Sequence, residues 1–239
     1  MAYIEGFVVP VPADKKEAYR KHAAEAWPIF KEFGVSRMVE TWGDSVPDGK
    51  VTDFKGSVQA KPGEAIVFSW FEYPSREVRD AANEKMRSDP RMKDMGANMV
   101  FDGMRMIFAG FDPILDEGKG GKPAYIDASL IPVPMAGKEA VRAWAKKMAA
   151  LFREYGATRV VDAWGDDIPD GKVTDFKRAV KAKEDETVLY GWVEWASKDS
   201  RDEAWEKMMA DPRMQPGHEK PPFDGQRMIY GGFAPILDF

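Results

Sequence analysis

The chain repeats itself. Ala2-Tyr3-Ile4 returns as Ala124-Tyr125-Ile126, Pro47-Asp48-Gly49-Lys50 as Pro169-Asp170-Gly171-Lys172, and Pro113-Ile114-Leu115-Asp116 as Pro235-Ile236-Leu237-Asp238, each 122 residues further on. A constant offset means that the copies align end to end without a gap, and a period this long is a duplicated domain rather than a solenoid unit. Two domains are therefore expected, 1–117 and 124–239, joined by a flexible linker over 118–123 whose sequence is Gly-Lys-Gly-Gly-Lys-Pro.

Within one copy the pattern predicts strand, helix, strands, helix, strand. Ile4 to Val9 is a β-rich run that Pro10 and Pro12 should end. Asp14 with Glu17 three residues on reads as a capping box for a helix carrying Tyr19, Ala23, Ala26, Phe30 and Phe33, and Gly34 as its C-terminal cap. Strands are predicted over 37–42, 50–60, 66–73 and 104–111, with a second helix from the Ser75 cap to Ser88. This order belongs to the α+β class and implies a ferredoxin-like unit. An antiparallel sheet with both helices on one face leaves an apolar face bare, and the second copy is its natural cover. The expectation is an intramolecular pseudo-dimer with the sheets packed face to face.

Composition narrows the function classes. Hydrophobic residues make up 44% and the net charge is -5, so the chain can build a core but offers no basic stripe for nucleic acid. It has no cysteine, which removes disulfides and thiolate chemistry and fits a cytoplasmic setting. There is no basic leader or membrane-length apolar run. The two histidines are unrepeated: His22 corresponds to Trp144 and His218 to Gly96, so no symmetric metal or haem site is expected. No metal or cofactor is assigned, and phosphate-loop, nucleophile-elbow and dinucleotide fingerprints are missing.

The stretches Trp42-Gly43-Asp44, Pro47-Asp48-Gly49-Lys50-Val51-Thr52, Asp89-Pro90-Arg91-Met92 and Phe101-Asp102-Gly103, with the opening Tyr3-Ile4-Glu5-Gly6-Phe7, resemble the YbaA-like bacterial proteins, the domain of unknown function numbered 1428. The resemblance covers both halves and implies the dimeric α+β barrel group. That wider group includes cofactor-independent oxygenases, isomerases, haem-handling proteins and members without known activity. It supplies no reaction and no catalytic residues for this chain.

Several residues repeat in both halves and are candidates for a site. Trp42/Trp164 and Asp44/Asp166 read either as the wall and anchor of a ligand pocket or as hairpin residues whose Asp bonds turn amides. Arg105 and Arg227, each following Asp-Gly, could bind a carboxylate or form an ion pair. The methionines at 86, 92, 106, 208, 214 and 228 read as core filler, and Asp53 and Asp175 as exposed positions on an outer strand. Charges inside strands need partners if they face a core, which singles out Glu5 and Glu72 with their counterparts Asp127 and Glu194. If register puts Glu5 and Glu72 on one face, they share a small site beside Tyr3 and Trp70 (Tyr125 and Trp192 in the second half), and one should hold its proton. The leading expectation is a small-molecule-binding protein or cofactor-independent enzyme with one aromatic-lined pocket per half. The rival is a structural or interaction module.

Overall fold

The computed structural model describes residues 2–215 and 219–239. Its strands are β1 (Tyr3–Pro12), β2 (Arg37–Ser45), β3 (Glu64–Tyr73), β4 (Ile107–Gly118), β5 (Tyr125–Pro134), β6 (Arg159–Asp167), β7 (Glu186–Trp195) and β8 (Ile229–Asp238). All pairings are antiparallel, and they close into one barrel in the order β1-β3-β2-β8-β5-β7-β6-β4. Each half contributes four neighbouring strands in the same relative order. The halves meet at their sheet edges, β2 on β8 and β4 on β6. The expected covering of one sheet by the other thus takes the form of a closed barrel, which satisfies the edge backbone groups as well as the apolar faces.

The barrel interior is filled. Ile4, Val8, Phe68, Trp70, Phe111, Ile126, Tyr190, Trp192 and Phe233 belong to one buried cluster. Phe68 stacks on Tyr190 and Trp70 on Trp192, both with ring centroids 4.4 Å apart. Each pair consists of a residue and its own counterpart 122 positions on, a contact that arises only along a two-fold relation between the halves. Gly6 makes room for this column: a Cβ there would lie 2.7 Å from the Tyr190 ring.

The long helices α1 (Lys16–Phe33), α3 (Arg76–Ser88), α5 (Lys138–Glu154) and α7 (Lys198–Ala210) lie outside the barrel, while α2 (Phe54–Ser57), α4 (Pro90–Ala97) and α6 (Phe176–Ala179) are short. Gly34 caps α1 in the left-handed region at φ 110°, as expected. The Asp14 capping box does not form, because Ala13–Lys15 make a 3-10 turn and the N-cap is Lys15.

Two further expectations are corrected. Strand β1 runs through Pro10 and Pro12, because its β4 neighbour stops at Val8, leaving an edge where a missing N–H costs nothing. No strand covers 50–60. Asp53 and Asp175 instead cap α2 and α6 by accepting from the Gly56 and Arg178 amides at 2.6 and 2.8 Å, which seats Phe54 and Phe176 in the barrel core. No described helix is long and apolar enough to cross a membrane.

Cut after Gly118, the first half would expose the β2 and β4 edges and half of the aromatic column. The fragment of residues 1–118 should therefore dimerise at micromolar concentration. Sedimentation equilibrium showing a folded monomer would contradict this geometry.

Candidate functional site

Register decides the fate of the strand carboxylates. In the β1–β3 ladder Ile4 faces Glu72 and Glu5 faces Phe71, so Glu5 and Glu72 sit on opposite faces of the sheet. The shared Glu5–Glu72 site is corrected accordingly. Glu5 points outward beneath α3, where it accepts from Asn83 at 2.9 Å and Tyr73 at 3.2 Å, and burial pushes its carboxyl up. Its counterpart Asp127 accepts from the indoles of Trp205 (2.8 Å) and Trp195 (3.0 Å) and from Arg201.

Glu72 and Glu194 point inward and meet each other's environment at one end of the barrel. Arg159 donates to Glu72 at 2.8 Å and Glu194 at 3.4 Å, while Arg37 donates to them at 3.3 and 3.2 Å. The same guanidinium groups bind Asp116 and Asp238. The Trp70 and Trp192 indoles donate to Glu72 and Glu194, each at 3.2 Å. Arg37 also reaches the Gly121 carbonyl at 3.1 Å, so the interdomain segment lies over this end. This network joins the halves around Trp70 and Trp192.

The remaining candidates also find protein partners. Tyr3 donates to Asp166 at 3.0 Å and Arg76 does so at 2.6 Å; symmetrically, Tyr125 and Lys198 donate to Asp44 at 2.9 and 2.6 Å. Asp44 and Asp166 therefore latch one half to the other and do not cap the turn amides. Lys198 and Tyr125 hold Asp44 below the usual carboxylate range. Burial pushes Tyr3 up to about 12. Arg105 is spent on Glu64, Asp102 and the Gln59 carbonyl, and Arg227 on Glu186, Asp224 and the Lys181 carbonyl. Trp42 and Trp164 are buried against the outer faces of their sheets, under Lys16 and Lys138. His218 lies outside the described residues.

Open space lies between each sheet and its helices. In the first half a cleft of about 250 Å³ is lined by Phe7, Tyr19, His22, Glu40, Ser69 and Met106 among others. In the second half the equivalent cleft measures about 450 Å³ and is lined by Ser129, Trp144, Met148, Asp162, Trp205 and Met228 among others. A larger depression nearby, about 830 Å³, is lined by the charged Lys147, Arg213, Glu219 and Lys220.

Each cleft has an acid on its sheet wall at the same repeat position, and the second-half cleft is also lined by Asp127. Glu40 lies opposite Ser69 in its ladder and Asp162 opposite Gly191. Burial pushes both up to about 7. Glu40 is relieved by the Tyr19 hydroxyl, which donates at 2.7 Å. In the second half Val141 stands where Tyr19 would be, and among the described residues no hydrogen bond reaches the Asp162 carboxyl. Burial also holds His22 below its ordinary value. A neutral acid facing an apolar cleft can donate a proton and, once ionised, accept one.

Sequence reasoning passed over Glu40 and Asp162, although both are acids inside a β-rich run. Their alternation with Met38 and Trp42, and with Val160 and Trp164, was the available signal. Among the described residues no group of three or more His, Asp or Glu is placed to hold a metal ion.

Comparison with known proteins agrees with the duplicated barrel. The family described as "Protein of unknown function (DUF1428)" matches residues 2–103 and again 124–225. The chain belongs to this family. The uncharacterised protein YbaA of Escherichia coli K12 is 65% identical over 117 residues, which is 49% of this chain and all of that protein, and the Shigella flexneri protein of the same name matches equally. Among solved structures, a protein of Fusobacterium nucleatum named "putative monooxygenase" superposes with a TM-score of 0.59 at 12% identity, over 99% of this chain and 93% of its own. An "anthrone oxidase-like protein" gives 0.55 at 14% identity, over 100% and 92%. At these identities the likeness shows the shared α+β barrel fold.

Two measurements check the electrostatics. Replacing Arg159, the more deeply buried of the two arginines, leaves Arg37 alone to balance Glu72 and Glu194, so Arg159→Met should cost about 3 kcal/mol in urea unfolding. The more exposed Arg37→Met should cost less. An acid whose folded pKa is raised favours the folded state most at low pH, and that advantage is lost as pH rises through the folded value. Wild-type stability should therefore fall between about pH 4 and pH 7. Asp162→Asn should remove part of that fall and be the more stable protein at pH 8, by on the order of 2–4 kcal/mol.

Proposed function

We propose that the chain binds a small, largely apolar molecule in the second-half cleft, with Asp162 as the group that holds or moves a proton on it. One observation supports the reading: a half-buried carboxyl that no hydrogen bond reaches among the described residues opens on a largely apolar cavity of about 450 Å³, a size suited to a small ligand. The names of the fold neighbours, monooxygenase and anthrone oxidase-like, are in keeping with an aromatic substrate. The first half reads as the structural partner, since Tyr19 already occupies its acid.

The same reading treats residues 1–117 and 124–239 as two ferredoxin-like units joined by 118–123. The strand order β4-β1-β3-β2, repeated as β8-β5-β7-β6, supports it. Nucleic acid is not proposed as a partner, because the chain carries a net charge of -5.

The internal repeat supplies the test. Ser129 occupies the position of Phe7, which lines the smaller cleft of the first half. Ser129→Phe should thus fill the second cleft while keeping the fold. Thermal-shift screening of wild-type protein with small aromatic compounds should yield ligands whose stabilisation disappears in this variant. Equal shifts in both proteins would place binding elsewhere.

A further inference from the structure

The duplication provides a built-in comparison of one site in two states. In the first half the phenol ring of Tyr19 is 4% exposed and its hydroxyl donates to Glu40 at 2.7 Å. In the second half three substitutions remove bulk around the acid, while His22 and Ala26 are replaced by the larger Trp144 and Met148. Tyr19 becomes Val141, Phe7 becomes Ser129 and Ser69 becomes Gly191. The acid is retained but is one methylene shorter as Asp162, which draws the carboxyl back towards the sheet. Cavity volume rises from about 250 to about 450 Å³ across these changes.

We infer that the second-half cleft takes an aromatic hydroxyl compound, a phenol or enol, whose O–H donates to Asp162 in the place that Tyr19 fills for Glu40. The inference rests on the ligand-binding reading above and deepens it to a substrate class. Two features separate a neutral hydroxyl from the other donors an acid could take. The side chains around the acid, Trp144, Met148, Phe152 and Trp205, match an aromatic ring. The Arg201 at the cleft is paired with Asp127, so while Asp162 holds its proton the described lining offers no free anion to balance an ammonium ligand. The other acid there, Asp127, already accepts from Arg201, Trp195 and Trp205 and leaves the ligand's donor to Asp162. A half-buried acceptor that no described residue bonds also discriminates against a ligand that lacks the donor, because such a ligand would seal it in unpaired.

The test uses the full chain with 2-naphthol and naphthalene, followed through the indole NMR signals of Trp144 and Trp205. The expected result is binding of 2-naphthol roughly tenfold tighter than naphthalene, or more, with the preference lost in Asp162→Ala. Tyr19→Val combined with Phe7→Ser, which copies Val141 and Ser129 into the first half, should raise the stoichiometry of 2-naphthol from one to two. Equal affinity for the two probes in wild type would overturn the hydroxyl assignment and leave the cleft as a binding site. A preference that survives Asp162→Ala would overturn the role of that carboxyl. If neither probe binds, the ligand-binding reading of the cleft fails, and this inference with it.

Discussion

The structure depends on the contact of two residues with their own counterparts in the repeat. Phe68 on Tyr190 and Trp70 on Trp192 form the column about which the halves are arranged, and everything else is compatible with that stack or is moved aside by it. Gly6 yields its side chain to Tyr190, and Phe54 and Phe176 are turned inward by short capped helices to fill the same core. Burying such rings supplies much of the apolar area that holds a barrel shut. The charged ring of Arg37, Arg159, Glu72 and Glu194 lies next to the tryptophans and fixes their indole N–H groups. Buried ion pairs of this kind add little net stability against apolar replacements, but they penalise any docking of the halves that would leave a charge unpaired.

With the barrel interior filled, open space is left to the outer face. The clefts lie between sheet and helices, and their acids project from the opposite side of the strands that carry the core residues Val39 and Val161. The two faces are thus under different demands. The inner face packs on its counterpart across the two-fold relation, whereas the outer face, apart from the Tyr3–Asp166 and Tyr125–Asp44 latches, is free to differ at the clefts. Phe7 and Ser129, Tyr19 and Val141, and Ser69 and Gly191 differ around the clefts, while at the stack Trp70 and Trp192 are identical and Phe68 and Tyr190 are both aromatic.

Much of this was legible in the sequence. The constant offset established the duplication, Gly34 and Ser75 marked helix ends, and the bare sheet face required a second copy as cover. What escaped was set by tertiary context. Pro10 and Pro12 read as strand breakers because their N–H side faces an edge only after β4 has stopped. The segment 50–60 carries β-rich residues, yet two Asp caps make it a helical plug. Glu5 and Glu72 were paired on sequence position, but a ladder in which Glu5 faces Phe71 turns them to opposite sides, a difference of one residue. Glu40 and Asp162 satisfied the rule that singles out charges inside strands and were still passed over. The environment of the latch residues Tyr3, Asp44, Tyr125 and Asp166 could not be read within one copy, since their partners lie in the other.

The short segment between Gly118 and Tyr125 has a consequence beyond joining two domains. In a symmetric dimer of separate chains, every mutation appears twice, so a cleft cannot be opened in one subunit and kept closed in the other. Assembly there would also weaken on dilution. Joining the copies makes their encounter intramolecular and sets it by an effective concentration fixed by the connection, not by the amount of protein present. One half can then lose Tyr19's equivalent and expose its acid while its partner keeps the hydroxyl and carries the stability, a division of labour that a gene encoding a single copy has no means to express.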